Sequence, residues 1–246
     1  MNLFQKQISQ VKTDKMRKSF DQISGDYDSL NDVTSLGLHR IWKSKLAEEI
    51  TGHQFWKILD VCCGTGDLSL LLAQKNTNAQ ITAIDFSEEM LRKARYRQQK
   101  GQITNVEFLC QDAAHLSFRD DQFDCVAISF GLRNVLEREK VLREMFRVLR
   151  PGGMFYCLDT VQMEHPAAQN AMSLYRKGVI PAVSGFLAGN PKEYVKLAHA
   201  HDRYMTKKQL ALLLQKCGFE KVGCIPYSHG IVVCHRAGKP EKKINH

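Results

Sequence analysis

No apolar run in this 246-residue chain approaches the roughly 20 residues that a helix needs to cross a bilayer. A helical membrane span is thereby excluded. The opening residues, Met1-Asn2-Leu3-Phe4-Gln5-Lys6-Gln7, are too polar for a secretory signal, so a cytoplasmic protein is expected. Internal repeats and low-complexity segments are also missing, which excludes a solenoid array. Cysteine is plentiful at eight residues, but the spacings that give it chemistry are absent. There is no Cys-x-x-Cys, and Cys62 and Cys63 are adjacent. Cys110, Cys125, Cys157 and Cys234 sit inside apolar strand-like runs, where free thiols act as small hydrophobes in a reducing compartment. Neither a disulfide framework nor a zinc site is expected.

Hydrophobic content is 43% and charged content 25%, so one large domain with a sizeable core is affordable. The net charge is +9, from 35 basic and 26 acidic residues. Much of the excess lies at the ends, at Lys6, Lys12, Lys15, Arg17 and Lys18 and at Lys239, Lys242 and Lys243. That pattern reads as solvated termini and not as a nucleic-acid groove.

The most informative segment carries an absence of its own. Ile58-Leu59-Asp60-Val61-Cys62-Cys63 runs into Gly64-Thr65-Gly66, and the helix-like stretch Leu68 to Ala73 follows. A strand, a glycine turn and a helix bring bare backbone against a nucleotide-like ligand. The dinucleotide fingerprint wants a third glycine, and Ser69 stands there instead. Two glycines suit a ligand with a compact amino-acid end, which points to S-adenosylmethionine over NAD.

Residues 1–52 read as an N-terminal helical cap. Ile8, Val11, Met16 and Phe20 mark one helix face, and Leu38, Ile41, Trp42, Leu46 and Ile50 mark another. A polar turn is expected between them at Asp26 to Asn31. Over 56–160 short strands alternate with helices: Ile58–Cys62, Ala79–Ile84, Val106–Cys110, Cys125–Phe130 and Met154–Leu158, the last after the turn Arg150-Pro151-Gly152-Gly153. Helices are expected at Glu88–Gln99 and Leu136–Leu149, the latter with Val141, Leu142, Met145 and Val148 on one face. This alternation means an α/β, doubly wound, mostly parallel Rossmann-like sheet. Residues 161–206 break the rhythm and read as a helical lid over the strand ends. Residues 207–240 hold a helix and an antiparallel hairpin (Val222–Pro226 and Ile231–Cys234) at the sheet edge.

Asp85 ends the second strand, placed to accept hydrogen bonds from a cofactor's ribose; Ser87 is the better candidate for the following helix cap. Asp112, followed by Ala113, ends the third strand and suits an adenine amino group. Ser129 ends the fourth, beside the methyl donor. Thr65 and Gly66 would meet the methionine carboxylate through backbone donors at the helix start. An Asn/Asp-Pro-Pro-aromatic loop and a Pro-Cys nucleophile, marks of nucleic-acid methylation, are both missing. His199 and His201 lie two apart in a helix-like stretch, and no metal site is expected there.

Five stretches together resemble one family: Phe20-Asp21-x-Ile23-x-x-x-Tyr27-Asp28-x-x-Asn31, Ser35-x-Gly37-x-His39-Arg40-x-Trp42, Leu59 to Asp67, Phe130-Gly131-Leu132-Arg133-Asn134-Val135, and Gly230-Ile231-Val232-x-x-His235-Arg236-Ala237-Gly238-Lys239-Pro240. The chain is similar, over roughly residues 16 to 240, to the C-methyltransferases of menaquinone and ubiquinone synthesis. It departs from their pattern at Glu193–His201 and at His229-Gly230. The resemblance implies a seven-stranded class I methyltransferase fold. It implies methylation of a ring carbon of demethylmenaquinol, with 2-methoxy-6-polyprenyl-benzoquinol as a candidate second acceptor. The cofactor residues carried over are Thr65, Asp85, Asp112, Ala113 and Ser129, beside the Gly64 turn.

A quinone ring carbon is electrophilic and will not attack a sulfonium; the reduced quinol does so as a phenol or phenolate. Arg133 is the candidate for stabilising that phenolate, with Asn134 and Tyr27 orienting the hydroxyl. A polyprenyl quinol is a membrane partner, so the basic N-terminus and the apolar 178–189 stretch are candidate docking elements for the inner leaflet. A homo-oligomer is compatible with the chain. Another small aromatic or lipid acceptor, or RNA bound through the +9 charge, are the competing readings.

Overall fold

A computed structural model describes residues 3–162 and 204–242, with Gly178 between them. Three helices come first: α1 (Leu3–Ile23), α2 (Tyr27–Ser35) and α3 (Leu38–Thr51). Then follow β1 (Lys57–Val61), α4 (Asp67–Lys75), β2 (Gln80–Asp85), α5 (Glu88–Lys100), β3 (Val106–Cys110), β4 (Phe123–Ser129), a 3₁₀ turn (Leu132–Asn134), α6 (Arg138–Val148) and β5 (Leu149–Thr160). The chain ends with α7 (Lys207–Lys216), β6 (Glu220–Tyr227) and β7 (Val232–Gly238).

The strands form one seven-stranded sheet in the order β3-β2-β1-β4-β5-β7-β6. β7 alone opposes its neighbours, pairing antiparallel with β5 and β6. The central strands are apolar on both faces because helices cover both: Ile58, Leu59 and Val61 of β1 and Cys125 to Ile128 of β4 are fully buried. One face packs against α3, α4 and α5, the other against α6 and α7. Val141, Leu142, Met145 and Val148 all point inward, as their spacing predicts. Strand order reverses between β1 and β4, so the crevice at their carboxyl ends is where a doubly wound sheet takes a ligand.

Several expectations need correction. The turn expected at Asp26–Asn31 is shorter: α2 begins at Tyr27. The Leu30 N–H donates to Asp26 O at 2.8 Å, and the Thr34 and Ser35 hydroxyls donate to carbonyls one turn back. No α2 residue is fully buried, so apolar periodicity had nothing to report. Arg150-Pro151-Gly152-Gly153 lies within β5 and not before it: Phe123 pairs with Leu149 and Cys125 with Met154, and the intervening residues loop out opposite Asp124. Val11, Leu38 and Ile41 face solvent, while Trp42, Leu46 and Ile50 go inward. All eight cysteines are free, but Cys110 is exposed at its sheet-edge strand. The expected lid falls mostly on 163–203, with the 178–189 stretch, His199 and His201, and lies outside the described residues but for Gly178.

Candidate functional site

The glycine turn is built by two left-handed glycines, Gly64 (φ +56°) and Gly66 (φ +82°). Gly66 carries the close packing: a Cβ there would sit 3.0 Å from both Ala94 and Phe108. Its N–H donates to Cys63 O at 3.0 Å, closing the turn, so that donor is spent within the chain. Ser69, at the position of the missing third glycine, has a partner of its own. Its hydroxyl donates to Asp60 at 2.5 Å, and Asp60 is wholly buried in β1. Burial pushes Asp60 up to about 7 despite that bond.

Asp85, at the end of β2, accepts from the Gly64 N–H at 2.9 Å and the Ser87 N–H at 3.0 Å. It is 6% exposed, and burial lifts its carboxyl to about 6 against these donors. Ser87 is the helix cap, accepting from the Met90 N–H. Asp112 shapes the turn after β3 by accepting from the Ala114 N–H at 2.9 Å.

These groups face one cavity of about 880 Å³, solvent mouth included. Of the sequence candidates it is lined by Tyr27, Gly64, Asp85, Asp112, Ala113 and Asn134; Thr65, Gly66, Ser129 and Arg133 lie off the lining. Its floor is the crevice between β1 and β4. Cys62 and Phe130, the residues after these strands, are both left-handed at φ 58° and 55°. A bulky residue there is strained, and such strain gathers at functional sites. A Cβ on Gly131 would lie 2.7 Å from that of Cys62, so the two strand exits touch. The roof is α1, through Thr13, Met16 and Phe20.

α2 is latched to the glycine turn, and α1 to the start of α5. Thr65 Oγ1 donates to Asp28 at 2.7 Å and Ser87 Oγ to Asp21 at 2.5 Å. Arg97 reaches Thr65 O at 3.1 Å and Asp67 at 2.6 Å. Asp67 also takes Lys43 at 2.8 Å; burial opposes its charge, but Lys43 and Arg97 hold it well below the usual carboxylate range.

Arg133 sits in the 3₁₀ turn, its side chain 14% exposed, and pairs with Asp159 at 2.6 Å. It is no surface charge. Asp159 and the buried phenol Tyr204, whose hydroxyl has no hydrogen-bond partner among the described residues, are neighbours of Arg133 that sequence reasoning missed. The rule that flagged Asp85 and Asp112, a carboxylate ending a parallel strand, applies equally to Asp159. Tyr204 gave no such signal.

The residues fit an adenosyl ligand. A buried carboxylate with spare lone pairs faces the cavity beside bare Gly64 backbone, and a second carboxylate lies at the next strand tip. Among the described residues, no group of three or more His, Cys, Asp or Glu is placed to hold a metal.

The model of the ubiE/COQ5 methyltransferase family matches residues 8–239. A demethylmenaquinone methyltransferase of Leptospira interrogans is 39% identical, over 99% of this chain and 100% of the relative. Another from Listeria monocytogenes is 36% identical, over 96% and 100%. A SAM-dependent methyltransferase of Thermotoga maritima shares the fold, with a TM-score of 0.65 at 18% identity, covering 91% of this chain and 99% of the other.

Proposed function

The chain belongs to the ubiE/COQ5 methyltransferase family, and on that premise we propose that it methylates a ring carbon of demethylmenaquinol in menaquinone synthesis. The donor is S-adenosylmethionine, which supplies an electrophilic methyl group on its sulfonium. The observation that carries the donor half is Asp85, buried against Gly64 and open to the cavity.

The chain's own part is to bind, align and manage charge. Asp85 takes the ribose hydroxyls, Asp112 and Ala113 the adenine edge, and the Gly64 corner of the turn the amino-acid end. Ser129 closes β4 beside them. Tyr27, packed near Gly64, and Asn134 orient the acceptor hydroxyl. Arg133 keeps its charge and stabilises the phenolate that forms as the hydroxyl loses its proton, which raises electron density at the attacking ring carbon.

The polyprenyl tail of this acceptor belongs in a bilayer, and the proposal includes peripheral docking there. It is supported by Leu36, Leu38 and Ile41, exposed by 76%, 37% and 52% at the α2–α3 corner. No helix among the described residues is long and apolar enough to cross a membrane.

The test is an anaerobic assay with methyl-labelled donor and reduced naphtho- and benzoquinols side by side. Methyl transfer to the naphthoquinol is expected. Arg133→Ala should lower kcat by about 10²-fold while S-adenosylhomocysteine binding stays within about twofold. Unchanged turnover removes Arg133 from the mechanism; absence of transfer to either quinol removes the acceptor.

A further inference from the structure

We propose that Asp159 is a positioning residue for this reaction, holding the Arg133 guanidinium in one orientation with a free edge for the acceptor hydroxyl. The inference rests on the role given to Arg133 above.

Asp159 lies next to the end of β5, its side chain 1% exposed. It meets Arg133 twice. Oδ2 accepts from the Arg133 backbone N–H at 3.1 Å, and Oδ1 from Nη1 at 2.6 Å. One carboxylate thus ties both ends of the same residue, and the long side chain loses the rotations that would carry its head away. Phe130 closes a second side, with its ring centroid 5.3 Å from Arg133 Cζ. Its backbone is held in turn, since the Phe130 N–H donates to Leu158 O at 2.7 Å, and its ring packs beside Trp42, 6.1 Å between centroids. Arg138 braces the turn from behind through Arg133 O at 3.0 Å.

A guanidinium has five N–H donors. Only Nη1 is engaged here; Nε and Nη2 carry no hydrogen bond among the described residues. A buried carboxylate is a costly residue, and a structural turn needs only a neutral acceptor for the Arg133 N–H. What the charge adds is a resting ion pair. A neutral quinol then enters beside a compensated cation, and spare donors remain for the negative charge as it develops. Burial works against the charge on Arg133, but the Asp159 carboxylate outweighs it and holds the group above its ordinary value. Arg133 therefore stays a cation throughout and does not take the hydroxyl proton.

Asp159→Asn keeps the shape and an acceptor for the backbone N–H but removes the charge. It should lower kcat by about 10²-fold, the loss expected when a catalytic group is misplaced by about 1 Å. The quinol KM and S-adenosylhomocysteine affinity should stay within about threefold, and the rising limb of the kcat–pH profile should move to higher pH. Asp159→Glu should restore part of kcat and return the limb. In an Arg133→Ala background Asp159→Asn should cost nothing further, because the two act as one unit. If Asp159→Asn does not fold, Asp159→Glu and its pH profile carry the test. Additive losses, or a limb that stays or moves to lower pH, overturn the inference. A normal Arg133→Ala enzyme would instead overturn the role of Arg133 itself.

Discussion

Asp85 accepts from the Gly64 amide at 2.9 Å in a place where burial lifts its carboxyl to about 6. Ligand hydroxyls that donate to it need the ionised form. Affinity for S-adenosylhomocysteine should therefore be full at neutral pH and fall as pH drops through about 6. The protein's own stability has the opposite sign at this residue. A carboxyl raised in the folded state contributes most below its unfolded value of 3.8, and that contribution is lost as pH rises through about 6. The melting increment produced by the ligand should thus grow between pH 5 and 8. Asp85→Asn should weaken binding at neutral pH and flatten the dependence. Calorimetric titration across this range checks both, and a pH-independent affinity in the parent protein would refute the assignment of Asp85 to the ligand.

At the scale of elements, the glycine turn shows how packing and ligand space divide between neighbours. Gly64 leaves room, since a Cβ there would come no nearer than 3.7 Å to the Tyr27 ring. Gly66 leaves none, because α5 and β3 press against it through Ala94 and Phe108. Gly66→Ala combines that clash with a left-handed φ of +82° and should cost about 2 kcal/mol. For a chain of this size that is a melting shift of roughly 4–8 °C. A thermal melt within 1 °C or so of the parent would show that the helix start yields freely. Elements with apolar periodicity were legible in the sequence: β3 falls on its expected residues, and α5 and α6 within two of theirs at either end. α2 was not, since none of its residues is fully buried and its inward packing is carried by Tyr27 and Leu30, too few for a periodic pattern. Ser69 read only as a missing glycine, whereas its partner Asp60 lies across the turn on β1.

The whole molecule joins residues that no local pattern links. Sheet order puts the exits of β1 and β4 in contact and β5 beside them. That topology is why Arg133 finds Asp159, 26 positions on; the strand-end rule flags such carboxylates singly, but their pairing with a residue on another strand's exit is set by sheet order. The same topology sets the orientation of α3. Trp42 Nε1 donates to Ser228 Oγ at 3.0 Å in the β6–β7 connection, and Lys43 pairs with Asp67 at the start of α4. Both partners lie at the carboxyl edge of the parallel strands, so the α2–α3 corner stands on the edge where the cavity opens. Leu36 there is 76% exposed and stands in the left-handed cap of α2, at φ 52°. Contact with a bilayer would bury Leu36, Leu38 and Ile41 together and bring the edge to a tail-anchored quinol. The triple change Leu36→Ser, Leu38→Ser and Ile41→Ser should therefore reduce co-sedimentation with anionic vesicles and raise KM for a long-chain quinol presented in them. Turnover of a short-chain, water-soluble quinol should stay within about twofold, because none of the three lines the cavity. Equal sedimentation of parent and variant would rule this corner out as the docking surface, and a loss shared by both quinols would mean that it acts on the fold or the site and not on the membrane.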